Sequence, residues 1–296
     1  VPWHKLGTRV EESPDSKRAL EVAGLNWSIM QKSIFVDNKK IKGYVANARS
    51  DNGEVLGIVT NQYKVIQNTE AFAFTDDLIG TGEVRYETAG SLGKGERIWL
   101  LGKMPEIKLV DDITEPYLCF LNYHNGKGSV RVALTPVRVV CNNTLNVALR
   151  DAKRNWSTTH IGNIEDKLED AKYTLGMAKN YLKNLQEEAN ILAKKEINKK
   201  VLAEFIEELL PIPDNAGNVK ERNIIELRKE LAFRITKAPD LQKYQQTAWG
   251  VINGVSDFVS HTNPMRNTPT YQENLFYKVV NGHPVIDTAY DLLKAA

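Results

Sequence analysis

The apolar positions of this chain follow two different periods. Through about the first 140 residues they alternate with polar ones in short runs, each closed by a cluster rich in Gly, Asn or Asp, which predicts antiparallel strands joined by tight turns. Trp27, Ile29 and Lys32 to Val36 form the first such run. Tyr44 to Arg49 and Val55 to Val59 flank Asp51-Asn52-Gly53, a hairpin turn. Tyr86 to Leu92 and Arg97 to Met104 pair around Gly93-Lys94-Gly95. Tyr117 to Tyr123 and Ser129 to Leu134 pair around Asn125-Gly126. Thr135-Pro136 is expected to interrupt the sheet, because proline cannot donate a ladder hydrogen bond. Val137 to Val140 then reads either as an edge strand or as the approach to a short helix over Asn143 to Leu149. Two further helices fall among the strands. One runs from Ser16 to Ala23, capped by Ser13 or Asp15, and one from Asn68 or Thr69 to Leu78, closed by Gly80 and Gly82.

Beyond residue 160 the period changes. Ile164, Leu168, Ala171, Leu175, Ala178, Leu182, Leu185, Ala189 and Leu192 step by fours and threes along one face, predicting a long amphipathic helix with Asn163 as its cap. That stripe fits either packing inside the fold or a coiled-coil contact between subunits. Ile197 to Leu210, Val219 to Arg234, Thr247 to His261 and a tail segment over Asp287 to Lys294 read as further helices, with Pro211, Pro213 and the polar stretch Asn263 to Thr270 as breaks. The expected fold class is therefore α+β: an antiparallel, hairpin-rich N-terminal half over residues 1–160 and a predominantly helical half over 161–296.

With 296 residues, 42% hydrophobic and 26% charged, the chain has ample material for a core. No run approaches the roughly 20 apolar residues that cross a bilayer, so no membrane is expected among its partners. The chain opens on Val1 rather than Met, and no secretory signal pattern follows. Cys119 and Cys141 lie in apolar runs and read as buried thiols, which fits a cytoplasmic protein.

Charge is uneven. The formal net charge is +2, yet residues 120–160 carry Lys127, Arg131, Arg138, Arg150, Lys153 and Arg154 against Asp151 alone. Arg131 is expected to point away from the core, since Val130, Val132 and Leu134 take the other face of their strand. Arg138, with Asn142, Asn143 and Asn146, would extend that surface around Pro136. Tyr123 and Trp156 would offer stacking surfaces. Cations that neutralise phosphates, amides that bond sugar or base, and aromatic rings together describe a path for a nucleic-acid strand.

Catalytic patterns are weaker. Gly90-Ser91-Leu92-Gly93-Lys94-Gly95-Glu96 sits between strands rather than before a helix, so it does not read as a phosphate loop. None of His4, His124, His160, His261 and His283 makes a helical metal pair, and His124 and His160 read as loop residues, His124 at a solvent-facing turn. Asp76-Asp77 and Asp111-Asp112 are sequence neighbours that diverge on regular elements. No catalytic residue, metal or cofactor is expected.

The segments PWHKLGTRV, YKVIQNTEAF, VRYETAGSLGKGERIWLLGKMP, VRVALTPVRVVCNNTLNVAL and WSTTHIGNIEDKLEDA resemble the phage and plasmid-like protein family, a domain family of mobile elements. The resemblance runs from Pro2 through most of the chain. It brings no catalytic assignment and implies DNA processing, recombination or counter-defence. Hairpins followed by helices are also similar, at the level of fold alone, to ring-forming single-strand annealing proteins. The expectation is a mobile-element protein that binds single-stranded DNA, with strand annealing or recombination as the process it would assist. The expected contacts are Lys127, Arg131, Arg138, Asn142, Asn143, Asn146, Arg150, Lys153, Arg154 and Trp156, with a homo-oligomer organised by the Ile164–Leu192 stripe. One alternative is a module that binds a host protein through Trp249 to Phe258 or the long helix. Another is a metal-dependent nucleic-acid enzyme whose site assembles only in the fold.

Overall fold

The computed structural model describes residues 6–80, 82–138, 146–149, 152–158, 173–262 and 271–296. The elements in chain order are β1 (Thr8–Arg9), α1 (Ser16–Val22), β2 (Ile29–Val36), β3 (Lys39–Arg49), β4 (Val55–Thr60), α2 (Asn68–Gly80), β5 (Arg85–Leu92), β6 (Arg97–Lys103), β7 (Ile107–Leu109), β8 (Asp112–Tyr123), β9 (Val130–Arg138) and β10 (Asn155–Thr158). They are followed by α3 (Thr174–Lys194), α4 (Lys199–Leu209), α5 (Asn218–Lys237), a 3-10 turn (Pro239–Tyr244), α6 (Ala248–His261), α7 (Tyr271–Asn281) and α8 (Pro284–Ala295). The fold is α+β, with the strands gathered in the N-terminal half and the helices in the C-terminal half. Two compact units divide it. A strand-rich unit is built from residues 1–105, 116–134 and 153–179, and a helical unit from 106–115, 135–152 and 180–296.

In the strand-rich unit a larger antiparallel sheet runs in the order β1-β5-β6-β8-β9-β10, and a three-stranded sheet runs β2-β3-β4. The core of the larger sheet is apolar on both faces: Ile98, Trp99, Leu100 and Leu101 of β6 and Leu118, Cys119, Phe120 and Leu121 of β8 are all buried. Consecutive residues point to opposite faces of a strand, so burial of four in a row means both faces are covered. The Cys119 thiol is free, and burial pushes its pKa up. Gly90 is there for proximity: a Cβ on it would lie 2.7 Å from the Trp99 ring. Asp15 caps α1, accepting from the Arg18 N–H at 2.7 Å.

β9 differs from the sequence expectation at Thr135-Pro136, where the strand continues through to Arg138 instead of stopping. The partner β10 ends its register at Asn155 opposite Ala133, so Pro136 lies past the last β10 pair and its missing donor costs no bond there. β10 itself carries too short a run, Asn-Trp-Ser-Thr, to signal a strand by alternation.

The helical unit buries the predicted stripe. Leu182, Leu185, Ala189 and Leu192 of α3 are all buried, as is Ala178 one turn earlier. From Ala178 to Leu192 the apolar face is therefore occupied by packing, and is not left open for a coiled coil. Ile164, Leu168, Ala171 and the cap Asn163 lie outside the described residues. The expected helix over Asn143 to Leu149 is absent where it can be followed: Asn146, Val147 and Ala148 are irregular, and Leu149 bridges Ala152. Their backbone groups are satisfied across the unit instead. Val147 O accepts from the Tyr181 hydroxyl at 2.6 Å, and the Ala148 N–H donates to Asp287 Oδ1 at 2.8 Å. Trp249 to Phe258, expected as a surface for a protein partner, is the centre of this unit. Trp249, Val251, Ile252, Val255 and Phe258 of α6 are buried, because α6 is apolar almost all round and packs on more than one side.

His283 caps α8, its Nδ1 accepting from the Val285 N–H at 3.2 Å. Burial, with a smaller effect from Lys278, holds the imidazole pKa below its ordinary value of 6.5. A group that binds its proton less well when folded stabilises the fold above the unfolded pKa, and that contribution is lost as pH falls through the lowered folded value. The unfolding midpoint is expected to drop between about pH 7 and about pH 5.5 by more in the parent than in His283→Asn, which keeps a capping acceptor without a titrating ring. Thermal melts of both proteins across that range check this, and equal slopes would refute it.

Candidate nucleic-acid interface

Of the residues expected to form one basic path, those described in the strand-rich unit are not gathered on one surface. Asn142, Asn143 and Arg150 lie outside the described residues, and of Arg138 only the backbone is described. Arg138 and Asn146 belong to the helical unit, and Lys127, Arg131, Lys153, Arg154 and Trp156 to the strand-rich one. Asn146 is buried, at 1% exposure. Arg154 is also buried, and its Nη1 donates to Leu134 O at 3.0 Å, so its guanidinium braces the middle of β9 instead of facing solvent. Arg131 is half-buried and close enough to Cys119 for its charge to favour the thiolate against the larger effect of burial. Its register partner is Ser157, while Trp156 is opposite Val132. Directly opposed residues share a face, so Trp156 and Arg131 point to opposite sides of the sheet. Ala133, expected on an open face with Arg131, is buried. Lys127 and Lys153 remain exposed.

His124 corrects a second expectation. It is fully buried rather than solvent-facing. Its Nε2 lies 2.8 Å from Asn68 Oδ1, its N–H donates to Glu96 O at 2.8 Å, and its carbonyl accepts from Asn47 Nδ2 at 2.8 Å. The Trp27 ring meets it edge-on at 5.8 Å. The β8–β9 turn is seated against the three-stranded sheet. A Cβ on Gly57 of β4 would lie 2.5 Å from Asn125 Cα, and one on Gly126, at φ +72°, would lie 2.9 Å from Val59 Cγ1. Lys127 therefore emerges beside that smaller sheet.

The smaller sheet carries a cationic feature that the alternation pattern did not signal. β2 and β3 form one long hairpin closed by Asp37 and Asn38 at φ 48° and 61°, the two left-handed positions of a tight two-residue turn. Lys32, Lys39, Lys40 and Lys42 are exposed on it, with Phe35, Val36 and Tyr44 interleaved and also exposed. Among the described residues no carboxylate forms an ion pair with any of these four lysines. At the opposite end of the same sheet, by the Gly53 turn that Lys32 Nζ approaches, Arg49 and Lys94 are matched. Arg49 holds Asp51 through two bonds of 2.9 and 2.6 Å while lying 4.3 Å over Trp27, and Lys94 pairs with Glu54 at 2.5 Å. The Arg49 guanidinium keeps the Asp51 carboxyl below its ordinary range. The sequence signal for the cationic end was present in Lys39-Lys40-Ile41-Lys42 beside Asp37-Asn38, an exposed turn with unmatched charge.

Residues 55–279 match the family described as a domain of unknown function, DUF932. The chain belongs to that family. No curated protein and no solved structure matches it. The span shared with other DUF932 proteins opens at β4, so the β2–β3 hairpin precedes it.

Two of the carboxylates weighed for metal chemistry, Asp76 and Asp111, have other partners in this DUF932 protein. Asp76 accepts from the Ser16 N–H, the Ser16 hydroxyl and the Tyr86 hydroxyl at 2.6, 2.8 and 2.5 Å. Asp111 accepts from Lys243 and from the Tyr244 hydroxyl. Among the described residues no group of three His, Cys, Asp or Glu is placed to hold a metal ion. A concavity of about 780 Å³ in the helical unit is lined by Glu187, Glu188 and Asp291 with Lys294, and Glu188 holds Lys294 at 2.9 Å. Its excess of negative charge repels phosphate. No described helix is long and apolar enough to cross a membrane.

Proposed function

We propose that this DUF932 protein binds single-stranded DNA without chemistry on it, and that the lysine-bearing β2–β3 hairpin of the strand-rich unit makes the principal phosphate contacts. The observation that carries this reading is the set of four exposed lysines without carboxylate partners, interleaved with Phe35 and Tyr44. Exposed cations that no carboxylate neutralises attract a polyanion and release its counterions on binding. Lys127, beside the same sheet, adds to that surface, and Lys153 is a further exposed cation of the same unit. The likeness of its central segments to phage and plasmid-like proteins supports a role on a mobile element, where strand annealing during recombination needs a protein that neutralises backbone charge and leaves base edges open. The host-protein alternative loses one of its two surfaces, since the apolar side chains of Trp249 to Phe258 are buried, and keeps the exposed side of the long helix.

The test is fluorescence anisotropy of a labelled oligothymidylate against the full chain over a salt series. Binding at low salt with a linear fall of log K against log salt is expected, at about 0.7 per neutralised phosphate. Absence of binding at low salt overturns the proposal.

A further inference from the structure

The hairpin belongs to a sheet with an open apolar face, and the role of that face rests on the nucleic-acid binding proposed for the hairpin. The register sets Met30 opposite Ala48, Lys32 opposite Ala46, Ala46 opposite Ile58, Ala48 opposite Val55 and Tyr44 opposite Thr60. These residues therefore share one side of the three-stranded sheet. The other side is closed, with Ile29, Asn47 and Val59 buried. On the open side Ala46 and Ala48 run along the central strand, buried beneath the side chains that flank them. Around them stand Ile58, Val55, Tyr44 and Met30, exposed by 62%, 51%, 50% and 41%. Six of the thirteen large apolar side chains exposed among the described residues lie on these three strands, which marks the sheet as an interaction surface. Three strands span roughly 10 Å, about the width of a nucleobase, so a ring would rest on the exposed tips of these side chains.

We infer that this face is a stacking platform for unpaired bases, and that it gives the protein a preference for single-stranded over duplex nucleic acid. The occupant is decided by the charge around the platform. Lys32 stands on the same face, and Lys39, Lys40 and Lys42 lie at its end, where a strand laid along the sheet would carry its phosphates. In a duplex the base faces are already stacked on each other, so a flat apolar surface gains nothing from them. An unpaired base can leave its neighbours and cover Tyr44 and Ile58.

The test compares the parent with Tyr44→Ala/Ile58→Ser and with Tyr44→Phe. It uses labelled oligothymidylate and a duplex of equal phosphate number, with sedimentation mass measured in parallel. Both side chains are exposed, so the fold is retained, and far-ultraviolet circular dichroism verifies it. The double variant is expected to lose about tenfold or more in affinity for the single strand. Its salt slope and duplex binding should stay unchanged, and Tyr44→Phe should bind as the parent does. If the double variant binds the single strand like the parent, the platform is refuted while phosphate binding by the lysines stands. If the parent is a dimer that the double variant dissociates without loss of DNA affinity, the face is a contact between copies of the chain and the inference is overturned. If the parent binds no nucleic acid, the platform and the proposed function fall together.

Discussion

Gly254→Ala is expected to cost the helical unit about 2–4 kcal/mol of stability, against the trend for glycine in helices. An interior glycine weakens a helix by about 1 kcal/mol relative to alanine, so an unconstrained substitution would help. Here the new methyl would lie 2.6 Å from Ile235 Cγ1 and 2.8 Å from Ile235 Cα. The second contact is with backbone, so trimming the side chain does not make room and α5 must move away from α6. Ile235 is fully buried on α5, and Gly250, one turn before Gly254, is pressed against the Tyr244 carbonyl in the same way. The two glycines let α6 sit close to its neighbours. Urea unfolding of Gly254→Ala, of Ile235→Ala and of the double variant measures the effect. A wild-type midpoint in Gly254→Ala, or a double variant no less stable than Ile235→Ala alone, would show that the helices are not in backbone contact.

Asp76→Ala is expected to cost the strand-rich unit about 2–4 kcal/mol. The carboxylate receives three donors from two other elements, the N–H and hydroxyl of Ser16 at the start of α1 and the hydroxyl of Tyr86 on β5. Ser16 and Tyr86 are each 3% exposed, so water reaches the orphaned donors poorly. Tyr86 keeps a partner in Thr75 Oγ1 at 2.7 Å, which sets the upper limit. Asp76→Asn retains an acceptor and should lose less than Asp76→Ala. Urea unfolding of both variants measures the difference, and equal loss in the two would place the effect in charge alone.

Where a residue's environment is local, its place was legible in the sequence. Asp51-Asn52-Gly53 and Gly93-Lys94-Gly95 turn the hairpins they predict, and the stepping of Leu182, Leu185, Ala189 and Leu192 identifies the buried side of α3. Environments made by distant chain were not legible. Asn122 to Gly126 has the composition of an exposed turn, yet Asn47 and Asn68, far away in sequence, enclose His124. Asn146 to Leu149 has helical composition, and loses the helix to bonds with Tyr181 and Asp287. The β2–β3 hairpin leaves little trace in the sequence for another reason. From Phe35 to Tyr44 neither side is buried, so the period of two that burial imposes is missing, and a register break after Ser33 hides what is left. The same openness that erased the pattern is what makes the hairpin a candidate surface. A basic stretch in sequence was a poor guide by comparison, since burial claims Arg154 and the sheet turns Arg131 and Trp156 apart.

The central claim is that the lysines of the β2–β3 hairpin hold the phosphates. The most direct measurement is single-strand affinity against salt for the parent, for Lys39→Glu/Lys40→Glu/Lys42→Glu and for Lys127→Glu/Lys153→Glu. The account predicts that the hairpin variant loses at least about a hundredfold near roughly 100 mM salt, with its slope shallower by about 2, and that the second variant loses about tenfold or less. A hairpin variant that binds like the parent, with the loss confined to Lys127→Glu/Lys153→Glu, would contradict it.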